Sequence, residues 1–172
     1  MTMRMSRERT RRLGWVAAAL AGVAWAGSML RADDPKSDPA LERARDQIQM
    51  LDTLYKNAVV SVNEKYTGPP AIMMAKDVFA AMESGKWHKA KLVDATGVPK
   101  NIENEPQTPF EKRAVTAIKA GKPYYDEVSG AGKDRTLSAA TVVPAVAAKC
   151  AKCHHVKEGD LLGFIRYELP IR

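Results

Sequence analysis

Cys150-Ala151-Lys152-Cys153-His154 contains the only two cysteines of the 172-residue chain, and a histidine follows directly on the second. C-x-x-C-H is the attachment spacing of a c-type haem. Two thiols three positions apart lie on one helical turn, where each can add to a haem vinyl group. The next residue, the histidine, is then placed against the iron as an axial ligand. The order of the residues matters here, not only their kinds. Three other readings compete with this one. A thiol–disulfide redox pair normally opens a helix early in a βαβ pattern, and this motif lies late in the chain. A zinc site wants four ligands, and there is no second cysteine pair. A disulfide across two intervening residues closes too small a loop to stabilise much. The expected cofactor is one covalent haem c per chain, with Cys150 and Cys153 as its anchors and His154 as the proximal iron ligand.

The N-terminal sequence fits export. Arg4, Arg7, Arg9, Arg11 and Arg12 stand against Glu8, and an uncharged, alanine-rich run follows over residues 13–30. Ala24-Trp25-Ala26 has the small-x-small form of a cleavage site. The segment reads as a secretory signal or an uncleaved anchor, since its length is at the lower limit for crossing a bilayer. We therefore expect a signal or anchor over residues 1–31, a linker over 32–37 and a haem domain over 38–172. The expected location is the periplasm. Haem is attached outside the cytoplasmic membrane by cytochrome c assembly machinery, and thiols not kept reduced there would pair. Residues 1–26 hold four of the seven net positive charges, leaving +3 for the rest. No basic stripe interleaved with aromatics is present, so nucleic acid is not an expected partner. Lys149, Lys152 and Lys157 flank the motif. They are candidates for guiding an acidic redox partner, or simply a solvated helix surface.

Asp38-Pro39 reads as a helix start, a cap followed by a proline in the first turn. Leu41, Ala44, Ile48, Leu51, Tyr55, Ala58 and Val62 form one stripe along a long helix that ends by Tyr66, before Gly68-Pro69-Pro70. The stripe is expected to pack within the chain, a homodimer through this helix being the alternative. The pattern further predicts a helix over 70–83, a strand over 87–94, a loop over 99–109 and a helix over 109–120 capped by Thr108. Two antiparallel strands follow over 124–128 and 136–143, then the motif-bearing helix over 145–155 and a final strand over 161–169. The class is α+β, a small antiparallel sheet flanked by helices.

Several segments in this order resemble one family. They are Asn101-Ile102-Glu103-Asn104-Glu105-Pro106 with Phe110-Glu111, Pro123-Tyr124-Tyr125, Val143-Pro144, and Gly159-Asp160-Leu161-Leu162-Gly163-Phe164 running to Leu169-Pro170-Ile171. Together, over residues 69–171, they are similar to the monohaem c-type proteins with a PAS-like haem domain. That family occurs both as free periplasmic proteins and as sensor modules of bacterial signalling receptors. The resemblance implies a PAS-like sheet with the haem helix before the last strand. The chain departs from the family after Asn101, where the proline is missing. It departs again on the early helix, where some relatives carry a cysteine that ligates the iron. The comparable stretch here is Ala71-Ile72-Met73-Met74-Ala75, so histidine–cysteine ligation is excluded.

The sixth iron position decides the role: a strong ligand favours electron transfer, an open site admits small molecules. Met74 and His88 are the leading candidates, with Met73 and Met82 on the same helix as Met74 and an open site as the alternative. His155 is expected to point away. Trp87, Tyr124, Tyr125, Phe164 and Tyr167 are candidate pocket walls or ordinary core. Arg135 and Arg166 are candidate partners for propionates or plain surface residues. No nucleophile–base set stands out, so the chain does not read as an enzyme. The expected function is single-electron transfer. The alternative is a redox or gas sensor, which would act through a separate signalling partner because no transmitter segment follows to Arg172. A haem peroxidase would need distal acid–base groups, and only His88 offers one.

Overall fold

In a computed structural model of the chain, the described residues are 38–66, Gly68 and 71–172. The expected signal, cleavage site and linker fall outside them. Among the described residues, no helix is long and apolar enough to cross a membrane. Helix α1 (Pro39–Lys65) starts as its sequence demands: the Asp38 carboxylate accepts the Leu41 backbone N–H at 3.1 Å, and Pro39 occupies the first turn. Its stripe turns inward, with Ala44, Ile48 and Tyr55 buried and Leu41 and Leu51 half-buried. Ala58 departs from the expected stripe. It is exposed, and Val59 faces inward instead. The reason is geometric: an α-helix has about 3.6 residues per turn, so a face written at alternating three-four spacing drifts within two heptads.

Helix α2 (Ala71–Ser84) packs beside α1 and buries Ala75 and Phe79. Lys86 in the left-handed region (φ 57°) then turns the chain into the sheet. The sheet is antiparallel throughout, with strands β1 (Lys89–Asp94), β2 (Tyr124–Ser129), β3 (Thr136–Pro144) and β4 (Leu161–Pro170) in the order β1-β4-β3-β2. Helix α3 (Pro109–Lys119) lies between β1 and β2 in the chain and opens with a complete capping box between Thr108 and Glu111. Side chains alternate across the central strands. Leu137, Ala139, Ile165, Tyr167 and Leu169 meet α1 and α2 on one face. Ala140 and Phe164 meet Phe110, Ala114 and Ile118 of α3 on the other. β1 and β4 approach so closely at Gly163 that an added Cβ would lie 2.1 Å from the Val93 carbonyl oxygen.

The α+β class and the order of elements follow the sequence reading. Two starts move by more than one residue. The first strand begins at Lys89, not Trp87. The motif-bearing helix, α4, spans Ala148–His154 and not 145–155. Ala145 is withheld from it because its backbone N–H donates to Asp160 (2.8 Å) and its carbonyl accepts from Gly159 (3.0 Å), bracing the loop before β4. His155 ends the helix in the left-handed conformation (φ 57°).

Candidate functional site

The core between α1, α2 and the sheet is filled at the N-terminal half of α1 and opens at the C-terminal half. There a cavity of about 470 Å³ lies over the sheet, within the range of small-molecule sites. Tyr55, Val59 and Val60 of α1 and Ile72, Met73 and Phe79 of α2 form one side. Leu92, Val143 and Ile165 of the sheet form its floor, and Lys100, Asn101 and Asn104 come from the loop after β1. Cys150, Cys153 and His154 of α4 complete it. Positions i, i+3 and i+4 share one face of a helix, so both thiols and the imidazole turn to the same space. The cysteines are free thiols, Cys150 half-buried and Cys153 exposed. The Lys149 ammonium fixes α4 against the end of α1 by donating to the carbonyls of Asn63 (2.7 Å) and Tyr66 (3.2 Å).

Burial, and then the charge of Lys100, holds the His154 imidazole below its ordinary 6.5, with Asp94 opposing. The ring is thus neutral at pH 7, the form that can ligate a metal. His155 is exposed and outside the cavity.

The two candidates favoured from sequence for the position opposite His154 are not brought to the cavity. Met74 is exposed and is not among the residues that line it. His88 is 4% exposed, but it is buried elsewhere: its Nε2 lies 3.0 Å from the Tyr55 hydroxyl, and its ring packs against both Tyr55 and Tyr167. It precedes β1 and enters the core beneath α1. Met73, as exposed as Met74, does line the cavity; Met82 does not. Of the candidate aromatic walls only Phe164 lines it. Trp87 is exposed, Tyr167 sits in the closed part of the core, Tyr124 bonds Asp126, and Tyr125 packs against Phe110. Arg135 pairs with Asp38, and Arg166 with Glu111 and Glu168, so neither reaches the cavity. Tyr55, on the inward stripe of α1, and Phe79, within the helix expected over 70–83, also line it. Their distance from the motif in sequence left no signal that they share a wall with it.

A small α+β domain whose apolar cavity gathers two thiols and one imidazole is thereby defined. The model of one family, described as Tll0287-like, matches residues 34–163, and the chain belongs to the Tll0287-like family. The resemblance read from the ordered segments over 69–171 is borne out by that match. Among solved structures the chain is similar to the cyanobacterial heme-protein Tll0287, at 13% identity and a TM-score of 0.48, over 78% of this chain and 97% of that one. No curated protein matches it.

Proposed function

We propose that the cavity holds one haem, joined by thioether bonds at Cys150 and Cys153 with His154 as proximal ligand, and that the protein is an exported single-electron carrier and not an enzyme. The observation that carries this reading is that all three side chains of the C-x-x-C-H motif line one apolar cavity. The residues fit the group. The walls are chiefly aliphatic and aromatic, the thiols are free, and the imidazole is neutral at pH 7. A bound haem would supply a one-electron Fe(III)/Fe(II) couple. The chain's own part is to keep water from it with Val59, Ile72 and Phe79, and to hold His154 by bracing α4 at Lys149 and Ala145. Membership of a family that includes a heme-protein supports the same reading.

The test is maturation of the full chain in a host with working cytochrome c assembly. Pigment should stay with the polypeptide in acidified acetone, and Cys150→Ala with Cys153→Ala should release it. A colourless product, or pigment that extracts from the unaltered chain, overturns the proposal. Rapid carbon monoxide binding by the ferrous protein would favour the sensor over the carrier.

A further inference from the structure

We propose that Met73 is the sixth ligand of the iron, an assignment that rests on the haem reading above. A ligand opposite His154 must come from a wall other than α4. It must also offer a lone pair at neutral pH that nothing else in the protein already uses. α2 supplies such a wall: Ile72, Met73, Ala75, Lys76 and Phe79, at helical spacing, turn one face to the cavity.

The hydroxyl, carboxylate and amine donors lining the cavity are engaged or unsuited, and the amide oxygens of Asn63, Asn101 and Asn104 suit harder cations than haem iron. The Tyr55 hydroxyl is bonded to His88 at 3.0 Å. The Asp94 carboxylate accepts from the Thr96 hydroxyl (2.8 Å) and the Gly97 N–H (2.7 Å). Lys56 pairs with Asp52 at 2.7 Å, Lys76 with Glu103 at 3.8 Å, and Lys149 is held by two carbonyls. Lys100 has no ion pair among the described residues, but it is an exposed cation whose field is felt at His154, on the proximal side. The thioether of Met73 carries no proton to lose. Its unbranched side chain has three rotatable bonds with which to reach a metal. Met74, the next residue, and Met82 do not line the cavity and serve as internal controls.

Ligation by histidine and thioether sets a consequence for function. It raises the reduction potential and closes the iron to small ligands, which suits an electron carrier.

The experiment uses the full-length holoprotein. The oxidised wild type should show the far-red charge-transfer band of iron–thioether bonding. Met73→Ala should abolish that band and open the ferrous iron to carbon monoxide, while the pigment remains covalently held and the far-ultraviolet dichroism stays unchanged. Met73→His should close the iron again without restoring the band, and Met74→Ala and Met82→Ala should keep it. Retained pigment with no such band in the wild type, or a band that survives Met73→Ala, overturns this assignment and leaves the haem reading standing. Pigment that is not covalently retained overturns the haem reading, and the assignment with it.

Discussion

The α3 face of the sheet is sealed along its length, whereas the α1/α2 face is sealed at one end only. On the first, Phe110, Ala114 and Ile118 close over Ala140 and Phe164, and the Glu111 carboxylate is fully buried and satisfied by the backbone N–H groups of Gln107 (2.8 Å) and Thr108 (2.9 Å), by Arg166 and by Lys91. On the second, Ala44 and Ile48 close over Leu137 and Tyr167, but three turns further along the same helix Val59 and Val60 border open space. One continuous helix thus belongs to both regimes. Its first half is anchored by Arg135 to Asp38 and by Arg45 to Asp126 at 2.8 Å. Its second half is more lightly held, by Val59 against the core and by Lys149 at its last carbonyls, and forms the cavity wall. Stability and binding are divided along the helix and not between domains.

The largest expected effect tests that division directly. Ile48 is completely buried where the core is closed, so Ile48→Ala should lose about 4 kcal/mol, the transfer term plus a new void. Val59→Ala removes methyl groups that already face the cavity, and the expected loss is about 1 kcal/mol. Urea unfolding of the two full-length variants measures both. Equal losses would show that the two halves of α1 are packed alike, and the comparison would break.

Glu111→Gln probes the sealed face. The amide keeps an acceptor for the helix start but withdraws the charge from between Lys91 and Arg166. Breaking a buried, paired charge is expected to cost about 3 kcal/mol at pH 7. Burial pushes this carboxyl up, yet the N–H groups of Thr108 and Gln107, with Lys91 and Arg166, outweigh it and leave it below its ordinary 4.5. A depressed carboxyl contributes fully above 4.5, and its contribution is lost as the pH falls through the lowered folded value. The gap between wild type and variant should therefore narrow on acidification below 4.5. A gap that stays constant in urea unfolding down to the acid limit would contradict it.

How much of this was legible beforehand follows local and non-local physics. Asp38-Pro39 and Thr108 are local signals, and α1 and α3 start where those residues put them. The thiols and His154 were legible because their chemistry is written in five consecutive residues. The opposite wall was not. Whether Met73 or Met74 faces the cavity is a rotation of one residue, about 100° around α2, set by how that helix seats Ala75 and Phe79 on the core. The place of His88 was illegible for a related reason. A histidine at the edge of a strand carries no local sign of whether it turns to a pocket or to a tyrosine 33 positions earlier.

That tyrosine–histidine pair gives the smallest effect, and it sits where the closed half of α1 meets the open half. Burial holds the His88 imidazole below its ordinary 6.5, and its ring neighbours, Tyr55 and Tyr167, have no negative charge at neutral pH to oppose this. As the pH falls below 6.5, the unfolded chain takes up a proton that the folded chain resists. Stability should therefore decline from that point until the folded value is passed, by at most about 1.4 kcal/mol per pH unit. His88→Gln retains an amide that can meet the Tyr55 hydroxyl, loses about 1 kcal/mol at pH 7, and removes the proton uptake. Its stability should fall less steeply than that of the wild type between about pH 7 and pH 5, the remaining slope being that of the likewise lowered His154. Parallel curves for the two proteins in urea titrations across that window would mean that His88 is hydrated in the folded state. The junction would then already be open, and the boundary between the sealed and open halves would lie nearer Ile48 than Tyr55.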